Sequence, residues 1–316
     1  MCTAICYRNN AFYFGRNLDL DRGYGEKVVI TPRNYEIKMR CKNPIQSHYA
    51  MIGMAAVVDD FPLYYEATNE KGLSMAGLNF PENAVYYNFA RGKDNVTPFE
   101  FIPWILARCA CVEEAKALLG KINLVSIDFN EQLSLSPLHW MISDNKSSIV
   151  VEPLRDGLKI YEDPFEVLTN NPPFDFHQTN VSHYMGLGVG HATSQFREGI
   201  PMKNYSLGMG ALGLPGDYSS ASRFIRALFV KENSVSEHNE ESNVNQFFHI
   251  LNSVAMPKGC VLAAAGFEYT RYGSCCNADR GIYYYTTYDR LAVTSINMHG
   301  VDLNRSRLYS YEVKGL

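Results

Sequence analysis

Several absences narrow the reading first. The cysteines at 2, 6, 41, 109, 111, 260, 275 and 276 form no Cys-x-x-Cys pair, which removes zinc-ribbon and thioredoxin-type sites. Cys275 and Cys276 are adjacent and cannot close an ordinary unstrained bridge with each other. In a reducing compartment most of the eight are expected to be free and packed as small hydrophobes. Long apolar runs are missing too: the longest, Tyr49–Val58, is about half of the ~20 residues a spanning helix needs. The start Met1-Cys2-Thr3-Ala4-Ile5-Cys6-Tyr7-Arg8 lacks the basic and then apolar stretch of a signal peptide, so the cytoplasm is the expected compartment. Charge of one sign is not in excess. Lys and Arg number 29 against 33 Asp and Glu, leaving no electrostatic footprint for nucleic acid or an anionic membrane. With Gly 23 and Pro 14 in 316 residues, low complexity is excluded as well.

What remains is a chain of 46% hydrophobic and 20% charged residues, able to bury a large core. At roughly 150 residues per domain, the length fits two domains or one large one. The 21 Tyr residues favour strands. Cys2–Arg8 and Phe12–Leu20 flank the turn-prone pair Asn9-Asn10 and read as a hairpin. Val28–Thr31, Tyr49–Val58 and Leu73–Leu78 are further strands, followed by helices over Pro98–Ala110 and Val112–Leu119. Strands return at His139–Ser143, Ser148–Glu152 and Leu158–Tyr161. The Gly-rich stretch from Pro172 to Pro215 reads as long loops. Helices follow at Ser219–Lys231, capped by Ser219 or Ser220, and at Asn245–Val254. Tyr269–Ser274, Gly281–Tyr288 and Leu291–Asn297 close the chain as strands. Blocks of strands and helices without βαβ alternation point to a layered α+β architecture.

The chemistry concentrates at the N-terminus. A Met before a small residue is normally trimmed, which leaves Cys2 as the first residue with both a thiol and a free α-amine. A thiol is a strong nucleophile and a few per cent ionised near neutrality. The α-amine, with a reference pKa of roughly 7.7–8.0, is a suitable base at that pH. One residue thus carries nucleophile and base, and no His is required. If Asn9-Asn10 is a two-residue turn, Cys2 lies opposite Asn17; a shift of one places it opposite Arg16 or Leu18. In each register Gly15–Asp21 lies beside the terminus. Arg16 is then placed to stabilise a thiolate, and Asp19 to hold the α-amine by a charge-assisted hydrogen bond. An edge strand with solvated charges explains the same segment equally well.

Other positions carry less on their own. Asn79 and Asn170 end apolar strands just before prolines, which is ordinarily turn chemistry. Arg223 sits in the first turns of a helix, where arginines are usually solvated. The eight His residues show no metal-ligand spacing, and His139 beside Trp140 reads as a satisfied core residue. Gly186–Gly190 lacks the strand and the Lys-Ser/Thr ending of a phosphate loop.

Taken together, these segments resemble the choloylglycine hydrolase family of N-terminal nucleophile hydrolases. The matching pieces include Met1-Cys2-Thr3-Ala4-Ile5, Phe14-Gly15-Arg16-Asn17-Leu18-Asp19, Asn69-Glu70-Lys71-Gly72-Leu73, Ala76-Gly77-Leu78-Asn79-Phe80, Leu168-Thr169-Asn170-Asn171-Pro172 and Ser222-Arg223-Phe224. They run in order over nearly the whole chain; Ser182–Met202 fits poorly. The resemblance implies one domain over residues 1–316, with Met1 removed. Its fold would be a four-layer αββα sandwich, two antiparallel sheets flanked by helices. It also implies a homotetramer, no metal or organic cofactor, and conjugated bile acids as substrates.

By the same resemblance Cys2 is the nucleophile, with Arg16 and Asp19 beside its thiol and amine. The Asn79 N–H and the Asn170 amide form an oxyanion hole, and Arg223 orders the polar network around them. Leu18, Val58, Tyr65, Phe129 and Leu133 are the apolar candidates for a steroid pocket. The competing readings are a penicillin V acylase, in which Tyr usually stands at the place of Asn79, a non-catalytic ligand-binding relative, and a papain-like thiol hydrolase using an internal Cys. In Tyr205-Ser206-Leu207-Gly208, Leu207 stands where taurine-favouring relatives carry Arg, which implies glycine conjugates are cleaved at least as well as taurine conjugates.

Overall fold

A computed structural model describes residues 1–316. The chain opens with β1 (Cys2–Arg8) and β2 (Phe12–Leu20), then β3 (Glu26–Thr31), β4 (Met51–Val58), β5 (Phe61–Asn69) and β6 (Ser74–Asn79). A short β7 (Asp94–Val96) precedes α1 (Phe101–Leu106), α2 (Val112–Leu119) and β8 (Ile122–Leu124). Next come β9 (Leu138–Ser143), β10 (Ser148–Leu154), β11 (Gly157–Glu162), β12 (Val167–Leu168) and α3 (Phe174–Asn180). The last part holds α4 (Ser220–Glu232), α5 (Glu240–Asn252), β13 (Val261–Ala263), β14 (Gly266–Asn277), β15 (Ile282–Thr287), β16 (Arg290–Asn297) and β17 (Tyr309–Glu312).

Two antiparallel sheets dominate. The first runs β12-β1-β2-β14-β15-β16, with β13 paired to β14; the second runs β11-β10-β9-β6-β5-β4-β3-β17. Alternation along the central strands of the second sheet explains the layering. Val28, Ile30, Ile52, Met54, Ala76 and Leu78 face the first sheet, in a core that also takes Phe224, Val244 and Phe247 from α4 and α5. Val29, Met51, Ala55 and Met75 face the other way, against Phe101, Trp104, Ile105 and Val112 of α1 and α2. Both faces are therefore covered, and these strands read as continuous apolar runs. The result is the αββα sandwich that the resemblance implies.

The hairpin strands are those expected, but the loop is not a two-residue turn. Arg8 pairs with Phe12, so Asn9-Asn10-Ala11 forms the connection, and Asn10 takes a left-handed φ of 56°. Three-residue hairpin loops use such a residue to match strand twist. The extra residue moves Cys2 from Asn17 to Leu18.

Two further differences concern helices. The helix expected over Pro98–Ala110 is shorter: a 3-10 turn at Pro98–Glu100 leads into α1, which ends at Leu106. Pro172–Pro215 is not all loop, since α3 occupies Phe174–Asn180. All eight cysteines are free, five of them buried.

β2 and β14 approach so closely at Gly15 that an added Cβ would lie 2.0 Å from the Ser274 carbonyl oxygen. Gly15→Ala is expected to destabilise the protein by about 1–3 kcal/mol, measured as a lower urea midpoint at unchanged slope. An unchanged midpoint would show that the strands part freely at this crossing.

Candidate active site

β1 divides the site between its two faces. Even-numbered residues of β1 and β2 face the second sheet: Cys2 lies opposite Leu18 and Ala4 opposite Arg16, and Arg16 donates to the Tyr65 and Gly77 carbonyls of that sheet. Odd-numbered residues face the helices: the Asn17 amide donates to the Leu251 carbonyl of α5 at 2.8 Å. The Cys2 thiol, 3% exposed, therefore shares its face with the Arg16 guanidinium. Burial works against the Arg16 charge, but Cys2, Tyr272, Glu66 and Asp19 outweigh it and hold the guanidinium more firmly protonated than usual. Its Nη2 is buried without a hydrogen-bond partner.

From the helix side, Arg223 grips the backbone of β1. Its Nη1 donates to the Cys2 carbonyl and to Thr3 Oγ1 (2.7 Å), and its Nη2 to Asn170 Oδ1 (2.7 Å). The side chain is fully buried; α4 begins just before it, with Ser219 accepting from the Ser222 N–H. Asn170 follows β12, which pairs with β1. The Cys2 N–H donates to Asn170 Oδ1 at 2.8 Å, while Asn170 Nδ2 donates to the Asn79 carbonyl at 2.7 Å. Because both partners of Oδ1 are donors, the amide orientation is fixed by the network. In a strand, the N–H and C=O of one residue point to the same edge. The Asn79 N–H thus lies on the edge of β6 that faces Asn170.

Asp19 completes the set. Its Oδ1 accepts from Thr270 Oγ1 at 2.6 Å, and its Oδ2 is buried without a partner. Burial pushes its carboxyl pKa up, against the pull of Arg223, the terminal amine, Thr270 and Arg16. The Met1 amine lies 2.7 Å from the Asp19 carbonyl and 2.7 Å from Glu268 Oε2, so the chain terminus sits among acceptors.

Cys2, Asn79, Asn170 and Arg223 are thus joined by hydrogen bonds, Arg16 shares the thiol's face, and the Asp19 backbone carbonyl lies at the Met1 amine while the Cys2 nitrogen is held by Asn170. The apolar candidates separate. Leu18 and Tyr65 belong to the core that holds Cys2. Val58, Phe129 and Leu133 pack in the outer core, where Phe129 meets Phe61 and Phe99 at ring distances of 5.9 and 5.1 Å. Leu207 is 87% exposed and outside both cores.

Several supports escape the sequence reading. Ser220 Oγ accepts from the Asn170 N–H, and Thr169 Oγ1 bonds Ser220. His139, read as a satisfied core residue, is one: Nδ1 meets Glu152 Oε1 at 2.9 Å and Nε2 the Thr169 carbonyl at 3.0 Å. His177 Nε2 donates to the Asn170 carbonyl at 3.1 Å, and its ring stacks on Phe224. Thr270 stands beside a β-bulge on β14, where the register to β2 shifts between Thr270 and Tyr272. No sequence signal marks that bulge.

A nucleophile-bearing strand at the inner face of an αββα sandwich, its first residues clamped by buried polar groups, defines an N-terminal nucleophile hydrolase. The chain belongs to the choloylglycine hydrolase family of linear amide C–N hydrolases, whose model matches residues 2–311. It is 49% identical over 99% of its length to a bile salt hydrolase/transferase of Lactiplantibacillus plantarum, 97% of which is covered. A conjugated bile acid hydrolase of Lactobacillus gasseri is 38% identical, over 98% of this chain and all of that one. A conjugated bile acid hydrolase of Clostridium perfringens superposes with TM-score 0.91 at 35% identity, covering 99% of this chain and 97% of that one. Penicillin V acylase from Agrobacterium tumefaciens shares the fold, at TM-score 0.78 and 20% identity, over 98% and 91% of the two chains.

The support beneath Asn170 has a pH signature. Burial pushes the His177 imidazole down to about 4, and its Nδ1 is buried with no partner. The folded pKa lies below the unfolded ~6.5, so the unfolded chain binds more protons between the two. Stability is whole above ~6.5 and falls as pH drops toward 4, by about 3 kcal/mol for this group. Urea midpoints between pH 7 and 4 are expected to fall less steeply in His177→Gln. Equal slopes would remove His177 as the source.

Proposed function

We propose that this protein is a bile salt hydrolase, cleaving the amide that joins a bile acid side chain to glycine or taurine. The observation that carries the reading is the hydrogen-bonded run from Cys2 through Asn170 to Asn79 at adjoining strand ends, in a chain nearly half identical to a bile salt hydrolase/transferase. With Met1 removed, Cys2 supplies the thiol and its own α-amine the base. The amine takes the thiol proton, and the thiolate attacks the carbonyl carbon. Charge collects on the oxygen, where the Asn79 N–H and the Asn170 amide donate. For the latter, the amide must exchange its donation to the Asn79 carbonyl for one to the oxyanion. Two aimed donors in a dry site are worth several kcal/mol. The C–N bond breaks as the α-ammonium protonates the departing amine. Water then attacks the thioester, its proton passing to the α-amine; the C–S bond breaks, the departing thiolate takes that proton back, and the free bile acid leaves.

Arg16 stabilises the thiolate, Asp19 holds the ammonium, and Arg223 keeps β1 and Asn170 in place. Residues 1–316 work as one domain, a reading supported by a core that runs from Cys2 to Leu303. Leu18 and Tyr65 border the reacting centre, with Val58, Phe129 and Leu133 farther out as walls of the steroid pocket. A homotetramer in the cytoplasm fits the resemblance. No helix is long and apolar enough to cross a membrane. Exposed Met185, Val189, Phe196, Tyr205, Leu207 and Leu212 give one stretch of chain an apolar surface suited to a second copy. Leu207 acts on the leaving group only where assembly covers it.

Turnover of glycocholate, taurocholate and penicillin V by the processed protein is the direct test. Both bile salts should be cleaved faster than penicillin V, glycocholate at least as efficiently as taurocholate, and folded Cys2→Ser should lose most activity. Preference for penicillin V would replace this reading with the acylase one. Asn170→Ala should lower kcat by about 10²–10³; an unchanged kcat would take Asn170 out of the oxyanion hole.

A further inference from the structure

A second buried acid lies opposite Arg16 and has no part in the mechanism above. Glu66, on β5, projects from the second sheet into the space between the sheets, and 2% of it is exposed. It arrives there through a β-bulge: Met54 pairs with Glu66 and Ala55 with Tyr64, leaving Tyr65 as the extra residue. A bulge can turn two successive side chains to one face. Accordingly Tyr64 packs in the outer core, whereas Tyr65 packs against the inner one.

The carboxylate meets only donors and one cation. Tyr272 of β14 donates to Oε2 at 2.8 Å and Tyr283 of β15 donates to Oε1 at 2.5 Å. Arg16 Nε stands 3.8 Å from Oε2. Both tyrosines are buried. Cys276 on β14 and Tyr65 also feel the Glu66 charge. Burial pushes the carboxyl pKa up, while Arg16 and the two tyrosines pull it down. The same Arg16 gives Nη1 to two carbonyls of the second sheet and leaves Nη2 without a partner on the face it shares with the Cys2 thiol.

We propose that Glu66 is a positioning residue for the hydrolysis: held by Tyr272 and Tyr283, its carboxylate balances the Arg16 charge and keeps Nη2 directed at the nucleophile. The consequence bears on the nucleophile. A cation beside a thiol favours the thiolate, and a thiolate attacks less well the more it is stabilised. Glu66 offsets part of the pull of Arg16. The proposal rests on Cys2 being the nucleophile and not on which amide it cleaves.

The test is the pH dependence of Cys2 alkylation by iodoacetamide in processed protein, with label at Cys2 quantified by peptide mapping so that the other seven thiols do not contribute. Glu66→Gln keeps shape and removes charge. Its alkylation midpoint is expected to move down by about one pH unit, the effect of one unit charge across ~12 Å at an effective dielectric constant of ~20. Its plateau rate at high pH should fall about threefold, following the Brønsted dependence. A purely structural Glu66 would lower the melting temperature and leave the midpoint in place. Tyr283→Phe removes one donor and should move the midpoint the same way by less, which keeps the test open if Glu66→Gln does not fold. A midpoint that stays or rises in the folded variant overturns the proposal. Because the readout needs no bile acid, a failed substrate assignment leaves it intact.

Discussion

The fork of Arg223 is the contact on which the site depends. One nitrogen holds the Cys2 carbonyl and Thr3, and the other holds the Asn170 amide oxygen. Three elements that are far apart in the chain are thereby pinned at one point: β1 at the start, the end of β12, and the first turns of α4. A lysine offers a single point charge there, and the planar geometry that sets Asn170 against β1 would be lost. Once Asn170 is fixed by Arg223 and by the Cys2 N–H, its other end has one place to go, toward the Asn79 strand edge. The oxyanion-hole candidates are in this sense a product of the guanidinium.

Buried charge sits beneath this arrangement. Arg16, Arg223, Asp19 and Glu66 are all buried, and the two cations and two acids balance in formal charge. Desolvating ions is unfavourable and their mutual attraction recovers only part of it. The alternating core on either side, Val28 and Ile30 inward, Val29 and Met51 outward, supplies the apolar burial that lets such a centre exist. Truncating any one of the four leaves its partner charge buried and unmatched, so each substitution acts on folding and chemistry together.

How much of this could be read from residue order depends on where the chain keeps its period. The hairpin strands were legible because Asn9-Asn10 separates two apolar runs, and the site followed once Cys2 and Gly15–Asp21 were known to be neighbours. The register stayed open between Asn17 and its neighbours because a three-residue loop and a two-residue turn share the same signal, and the structure takes the Leu18 alternative. β5 went unread: Pro62 opens it and the bulge at Tyr65 breaks the alternation, so neither period is present over Phe61–Asn69. Asn79, Asn170 and Arg223 look in isolation like turn and surface residues. The burial of Asn170 and Arg223 and the half-buried place of Asn79 come from long-range packing that only the family's ordered motifs hinted at.

The placement of the terminus also bears on how the protein can be handled. Met1 is partly exposed, its amine bonded to the Asp19 carbonyl and to Glu268, while Cys2 behind it is buried. An affinity handle, a fusion partner or a surface-display anchor fused ahead of Cys2 would occupy the α-amine that the proposed chemistry uses as its base. Leu316, by contrast, is exposed and follows β17 at the outer edge of the second sheet. Immobilisation chemistry belongs at that end, where a support can be reached without disturbing the strand that carries the thiol.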